Sequence, residues 1–188
     1  MSGYKNFAIV GTGLTGSFIV CRFLKEKAAR TANQVIVLTH QVSFVAVTRF
    51  PMHPYPVRQG SNTTIDSNAK LILVDYSDKE SIMSALAGIN VIISTIASVA
   101  LRLQAGIAKA AKEVGVKLFI PSEFRGPTEG ATEGLFGTKA SVQDQLKAVG
   151  IPYALFYTRA YANIIWAPYA ASFLMSLLWH STYCSAGS

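Results

Sequence analysis

Charge is scarce in this chain. Only 14% of its 188 residues are Asp, Glu, Lys or Arg, and just 10 are acidic. With 51% hydrophobic residues, the sequence is too apolar for a disordered segment or an acidic tail. Cysteine is nearly missing as well. Cys21 and Cys184 make neither a disulfide framework nor a metal-ligand spacing, so a reducing compartment is expected and Cys21 reads as packing. No secretory h-region precedes the first strand signal, which adds to the expectation of a cytoplasmic protein. The basic excess of +7 is scattered, with no Lys/Arg-rich run and no aromatic-interleaved basic stripe, which argues against nucleic acid as a partner. The length suits one domain with its own core and falls short of two complete ones.

What is present begins at Phe7-Ala8-Ile9-Val10, an apolar run leading into Gly11-Thr12-Gly13-Leu14-Thr15-Gly16. The spacing is G-x-G-x-x-G, set after a strand signal and before a helix signal. In that setting Gly11 serves a tight turn, Gly13 admits a diphosphate close to the backbone, and Gly16 allows helix and strand to pack closely. The following helix presents its positive dipole end to an anion. The bland alternative is an ordinary Gly-rich strand–helix turn.

The rest of the chain repeats this rhythm. Strands are expected at 6–10, 34–39, 71–75, 90–95 and 117–121, and helices at 14–29, 77–88, 97–114 and 138–148. Ser77 with Glu80 has the capping-box spacing. Continuous β-branched runs such as Val35-Ile36-Val37-Leu38 fit strands buried on both faces of a parallel sheet. The expected fold is α/β, a doubly wound parallel sheet of the Rossmann type, with ligands beyond the C-terminal strand ends. Those ends carry the glycine turn, Thr39 and His40, Asp75, Ser94 and Thr95, and Pro121-Ser122-Glu123-Phe124, the expected cofactor-binding set.

The end of the second strand lacks the Asp or Glu that would meet an unphosphorylated ribose. Thr39, His40 and Gln41 stand there instead, and Arg58 or Arg49 offers a cation. A charge-assisted hydrogen bond of about 1.5–3 kcal/mol favours the phosphorylated cofactor, so NADP (NADPH) is expected over NAD. Residues 42–59 then interrupt the rhythm, with Pro51, Pro54 and Pro56 forbidding a helix. A long irregular loop here is uncommon in a compact domain. One reading is a translated intron: Val codons begin GT, Gln codons can end AG, and excision would join Gln41 to Gly60 in frame. The other is a genuine surface loop.

Lys139 is the candidate catalytic group. The expected helix start places it in the first turn, where a cation opposes the dipole and a lowered pKa would suit proton exchange. A solvated surface lysine is the alternative. The Y-x-x-x-K pair of common short-chain dehydrogenases is missing, since Leu135 stands four residues before Lys139. Ser122 and Glu123 are read as orienting substrate or the cofactor amide, or as strand-end structure.

Taken together, the glycine run, Val74-Asp75, Ser94-Thr95-Ile96-Ala97, Pro121-Ser122-Glu123-Phe124, Lys139 and Gly150-Ile151-Pro152-Tyr153 resemble the NmrA-like, isoflavone-reductase-like family of atypical short-chain dehydrogenases. The likeness covers roughly residues 5–168 apart from the insert. It implies NADPH binding and, in the reductase members, hydride delivery to a small aromatic or phenylpropanoid-like substrate, with the lysine matching Lys139 as general acid/base. Regulatory members of the family imply the alternative, a dinucleotide sensor without turnover. The sequence departs from the family where His40 replaces its usual basic residue and where Arg125 replaces a glycine.

Residues 1–158 thus read as the NAD(P)-binding domain and 159–188 as an apolar tail. From Ala160 onward there is no Asp, Glu, Lys or Arg. The expectation is a truncated substrate region whose continuation after about Tyr169 is foreign, through a shifted frame or a read-through splice site. Such a tail favours self-association. As a membrane anchor it reaches spanning length only by including Asn163, Pro168 and two serines, a poor match to a span.

Overall fold

The β-branched runs become strands that run side by side with every neighbour parallel. In this computed structural model, which describes residues 3–40, 70–124 and 126–158, five strands are present: β1 (Asn6–Val10), β2 (Gln34–Thr39), β3 (Lys70–Leu73), β4 (Val91–Ser94) and β5 (Leu118–Ile120). Their order is β3-β2-β1-β4-β5. Phe7 pairs with Val35 on one side and Val91 on the other, so the chain leaves β1 first outward through β2 to β3, then restarts at β4. That reversal is the topological switch point, and the crevice it creates lies over the C-terminal end of β1. Beyond β5, Tyr153 makes a further parallel bridge to Phe119.

Among the described residues four helices cover the sheet: α1 (Leu14–Ala28), α2 (Lys79–Leu86), α3 (Leu103–Glu113) and α4 (Gly134–Val149). Alternation along β1 and β2 divides the core between the two faces. Ala8, Val10, Ile36 and Leu38 join Ile82, Ile107, Ala111 and Leu146 of α2, α3 and α4. Ile9, Val35 and Val37 pack instead on Val20 and Leu24 of α1. Each of the buried Val, Leu and Ile side chains contributes about 1.5–3 kcal/mol by leaving water, so the crevice stands on a packed floor. Among the described residues no helix is long and apolar enough to cross a membrane.

The fold class matches the sequence expectation, and so do the bounds of β1 and β2; three helix starts do not. Asp78, not Ser77, caps α2, accepting from the amides of Glu80 at 3.1 Å and Ser81 at 3.3 Å. Ser77 is already engaged by Asp75, which accepts from its hydroxyl at 2.6 Å and its amide at 2.8 Å. The single helix expected over 97–114 is a 3-10 turn at Ser98–Ala100 followed by α3. At the break, the Leu101 carbonyl accepts from both the backbone and the side-chain amide of Gln104.

The helix expected from residue 138 begins at Gly134. Gly137 is the reason: a Cβ there would lie 2.6 Å from the Thr132 carbonyl oxygen, so this glycine permits close packing where the sequence suggested a loop. Lys139 therefore sits in the second turn, beyond the reach of the dipole effect, and is buried at 7% exposure. The insert at 42–59, Arg49, Arg58 and the tail from 159 lie outside the described residues.

Candidate functional site

Gly11 takes φ +92° as β1 ends, a backbone region that side-chain-bearing residues avoid, and its amide donates to the Leu38 carbonyl at 3.2 Å. The turn is pressed against the end of β4. A Cβ on Gly11 would lie 3.2 Å from the Thr95 backbone, and one on Gly16 would run into the Gly11 carbonyl and lie 2.6 Å from the Thr95 hydroxyl. Thr95 locks this contact: its Oγ1 gives its single proton to the Gly11 carbonyl at 2.9 Å and lies 3.1 Å from the Val10 carbonyl.

Gly13 is different. Among the described residues nothing lies within 4 Å of where its Cβ would be, and as the N-cap of α1 it brings no side chain of its own, with no acid in the first turn. Two glycines are consumed by packing while the third leaves open space before a helix N-terminus. That arrangement fits a diphosphate. Thr12 and Thr15 flank the turn, half-buried, and Leu14 opens α1.

At the neighbouring strand ends, Thr39 is buried and its carbonyl accepts from the Val74 amide at 3.0 Å. His40 is exposed and stacks on Tyr76 with ring centroids 6.2 Å apart and an interplanar angle of 24°. Asp75 lies alongside. Donation from the Ser77 hydroxyl and amide holds its carboxyl below the ordinary carboxylate value, with the His40 ring adding to the effect. Burial pushes the Tyr76 phenol up. His40, Asp75 and Tyr76 thus form one cluster beyond the C-terminal ends of β2 and β3.

On the other side of β1, Ser94 is fully buried, and its hydroxyl has no hydrogen-bond partner among the described residues. Pro121 is buried and Phe124 half-buried. Ser122 donates from its hydroxyl to the Ile96 carbonyl at 3.0 Å, and from its amide to Gln104 Oε1 at 2.9 Å. Glu123, at 2% exposure, accepts from the Thr128 hydroxyl, which lies 3.0 Å from both carboxylate oxygens. Gln143 Nε2 in turn donates to Thr128 at 2.8 Å. Ser122 and Glu123 therefore make structural bonds that hold the end of β5 to the β4–α3 connection and to α4, and Lys139 rides on that same α4.

Sequence reasoning missed Gln104, Thr128 and Gln143. A signal existed for Gln104: it occupies the buried stripe shared by Ile107, Ala108 and Ala111, the spacing of a core-facing helix. A separate cavity of about 210 Å³ between α2 and α3 is lined by Tyr76, Lys79, Ile82, Lys109 and Glu113 among others; none of the expected site residues lines it.

The NmrA-like family model matches residues 5–180. An isoflavone reductase homolog A622-like protein of Nicotiana tabacum is 29% identical over 166 residues, 85% of this chain and 49% of that protein. The phenylcoumaran benzylic ether reductase POP1 of Populus trichocarpa is 31% identical over 155 residues, 79% of this chain and 46% of that one. Among solved structures, one of pinoresinol-lariciresinol and phenylcoumaran benzylic ether reductases superposes with a TM-score of 0.63 at 25% identity, covering 84% of this chain and 51% of that one. AtPrR2 with NADP+ and (+)pinoresinol has the same fold, with a TM-score of 0.64 at 23% identity over 86% of this chain and 52% of that one. The chain spans about half the length of the relatives it matches. The glycine turn, the strand order and a family match over most of the sequence lead to one conclusion: the chain belongs to the NmrA-like family.

Proposed function

We propose that this chain is the NADPH-binding part of a reductase of the isoflavone-reductase type, acting on a small aromatic or phenylpropanoid-like substrate, with Lys139 as general acid/base. The observation that carries the cofactor half is the glycine turn, where Gly11 and Gly16 are packed against Thr95 while the Cβ position of Gly13, at the start of α1, meets no atom within 4 Å among the described residues. Support for NADPH over NADH comes from the missing carboxylate at the end of β2, where His40 stands, and from the NADP+ in the AtPrR2 structure. Support for reduction comes from the isoflavone and phenylcoumaran benzylic ether reductases among the relatives.

In this reading Gly11, Thr12, Gly13, Leu14, Thr15 and Gly16 hold the diphosphate. Thr39, His40 and Asp75 lie toward the ribose, with Arg58 as a further cation. Ser94, Thr95, Pro121, Ser122, Glu123 and Phe124 form the wall toward the nicotinamide. Bound NADPH supplies the hydride. Lys139, held in the buried face of α4, exchanges the proton that balances it, and a lysine in such surroundings is suited to that task.

A fluorescence titration with NADPH, followed by an oxidation assay on phenolic ethers and enones, tests the proposal. Binding with turnover that disappears in Lys139→Met supports it. Binding without turnover in any assay favours a dinucleotide sensor, and failure to bind either dinucleotide overturns the cofactor reading itself.

A further inference from the structure

Glu123, Thr128 and Gln143 form a polar chain inside the protein, exposed by only 2%, 1% and 1%. Its direction follows from proton counting. An ionised carboxylate only accepts, and a threonine hydroxyl has a single proton to give. Thr128 therefore donates to Glu123, and its oxygen receives the Gln143 Nε2–H at 2.8 Å. The carboxylate thereby dictates which way the Gln143 amide faces, leaving Oε1 turned from Thr128.

That Oε1 is buried and has no hydrogen-bond partner among the described residues. A buried acceptor left unmet is costly and calls for an explanation. One turn earlier on the same helix stands Lys139, also buried, and side chains four residues apart on a helix are neighbours. We propose that the Glu123–Thr128–Gln143 chain is a positioning device for Lys139: Glu123 orients Gln143 so that its carbonyl oxygen receives the Lys139 ammonium when that amine holds its proton.

The proposal rests on the reading of Lys139 as the proton-exchanging group. It gives a purpose to a carboxylate that is buried at 2% exposure and held by Thr128. The other charged groups around α4 are placed differently. Glu129, Glu133 and Asp144 are exposed, Lys147 pairs with Asp144 at 3.5 Å, and Lys112 donates to the Gly150 carbonyl at the far end of the helix. Tyr153 and Tyr157 follow α4, and the Tyr157 phenol is raised by desolvation first and by Glu123 and Glu129 next.

The test is an NMR pH titration of the lysine Cε resonances in the full chain grown on 13C-lysine, with Lys139 assigned by its loss in Lys139→Arg. Gln143→Met removes the acceptor at similar volume, and the Lys139 midpoint is expected to fall by about one pH unit, a tenfold loss of proton affinity. Gln143→Glu is expected to raise it. Glu123→Gln, whose new amide can donate to Thr128 and release the Gln143 flip, is expected to lower it, while Lys147 stays unmoved in all three.

A purely structural role would change the melting temperature and leave these midpoints alone. Lys139 midpoints that coincide with wild type in folded Gln143→Met and Gln143→Glu overturn the proposal. Should Gln143→Met not fold, Glu123→Gln and Gln143→Glu carry the same decision. Turnover retained by Lys139→Met overturns the proton-exchange reading and the purpose assigned to the chain. Unmoved midpoints with Lys139 essential overturn the positioning device alone.

Discussion

The Thr95 hydroxyl donates to the Gly11 carbonyl at 2.9 Å, so the end of β4 holds the glycine turn in shape. Replacing Thr95 with Val keeps the volume and removes that donor. The Val10 carbonyl still accepts from the Thr95 amide at 2.8 Å, leaving Gly11 as the main loser. The expected result is a stability loss of about 1 kcal/mol by chemical denaturation, together with weaker NADPH binding because the turn is less fixed. Unchanged binding in Thr95→Val would show that the turn holds its shape without this hydroxyl.

Gly16→Ala is a harsher change at the same junction. The new methyl would run into the Gly11 carbonyl and lie 2.6 Å from the Thr95 hydroxyl, so α1 must move away from β1. Overpacking of this kind costs typically about 1–3 kcal/mol, and the displaced helix start is expected to lose NADPH affinity by more than about tenfold. Gly13→Ala meets no atom of the described residues within 4 Å. It is expected to leave the melting temperature nearly unchanged while still impairing binding, because its methyl enters the space assigned to the diphosphate. Titrations and melting curves on both variants separate the two roles.

Much of this junction was legible in the sequence, because strand, glycine spacing and helix signal all lie within a short local stretch. β1 and β2 are equally plain: a β-branched run buried on both faces has few other ways to fold. Helix starts were less legible. Ser77 and Asp78 both qualify as caps, and only the engagement of Ser77 by Asp75 decides between them. Gly137 reads as a loop breaker until the Thr132 backbone is seen beside it. The partners of Glu123 were hidden for a related reason, since Thr128 and Gln143 look like ordinary polar residues until the fold brings the loop onto α4.

His40 at the end of β2 should set the choice of dinucleotide. Arginine presents a permanently charged, planar fork that meets a phosphate through two parallel donors. His40→Arg is expected to improve the preference for NADPH over NADH by about tenfold, from one charge-assisted hydrogen bond. Titrations of both dinucleotides against wild type and variant measure the preference, and a preference unchanged in His40→Arg would remove His40 from cofactor choice.

Asp75 gives a sign for acid behaviour. Donation from Ser77 holds its carboxyl below the ordinary 3.8, so the folded state binds this proton less readily than the unfolded chain does. The group contributes stability that is fully present above its unfolded value and is lost as the pH drops through the folded one. The difference in melting temperature between wild type and Asp75→Asn should be constant from pH 5 to 7 and shrink below about pH 4. A difference that grows in acid would contradict the assignment.

Gln104 links the last of these elements. Its Oε1 accepts the Ser122 amide at 2.9 Å, and its Nε2 donates to the Leu101 carbonyl at 3.3 Å, so one buried side chain on α3 ties the β4–α3 connection to the residues after β5. Gln104→Leu fills nearly the same space but strands the Ser122 amide, at a cost of about 1–3 kcal/mol. Gln104→Glu still offers an acceptor to Ser122, yet it loses the donor to Leu101 and buries a carboxyl group. If the Ser122 bond is the one that shapes the nicotinamide wall, Gln104→Leu weakens NADPH binding beyond its effect on global stability, whereas Gln104→Glu lowers the melting temperature with a smaller loss of affinity. Equal losses of affinity in both variants would mean that the connection to Leu101 carries the effect.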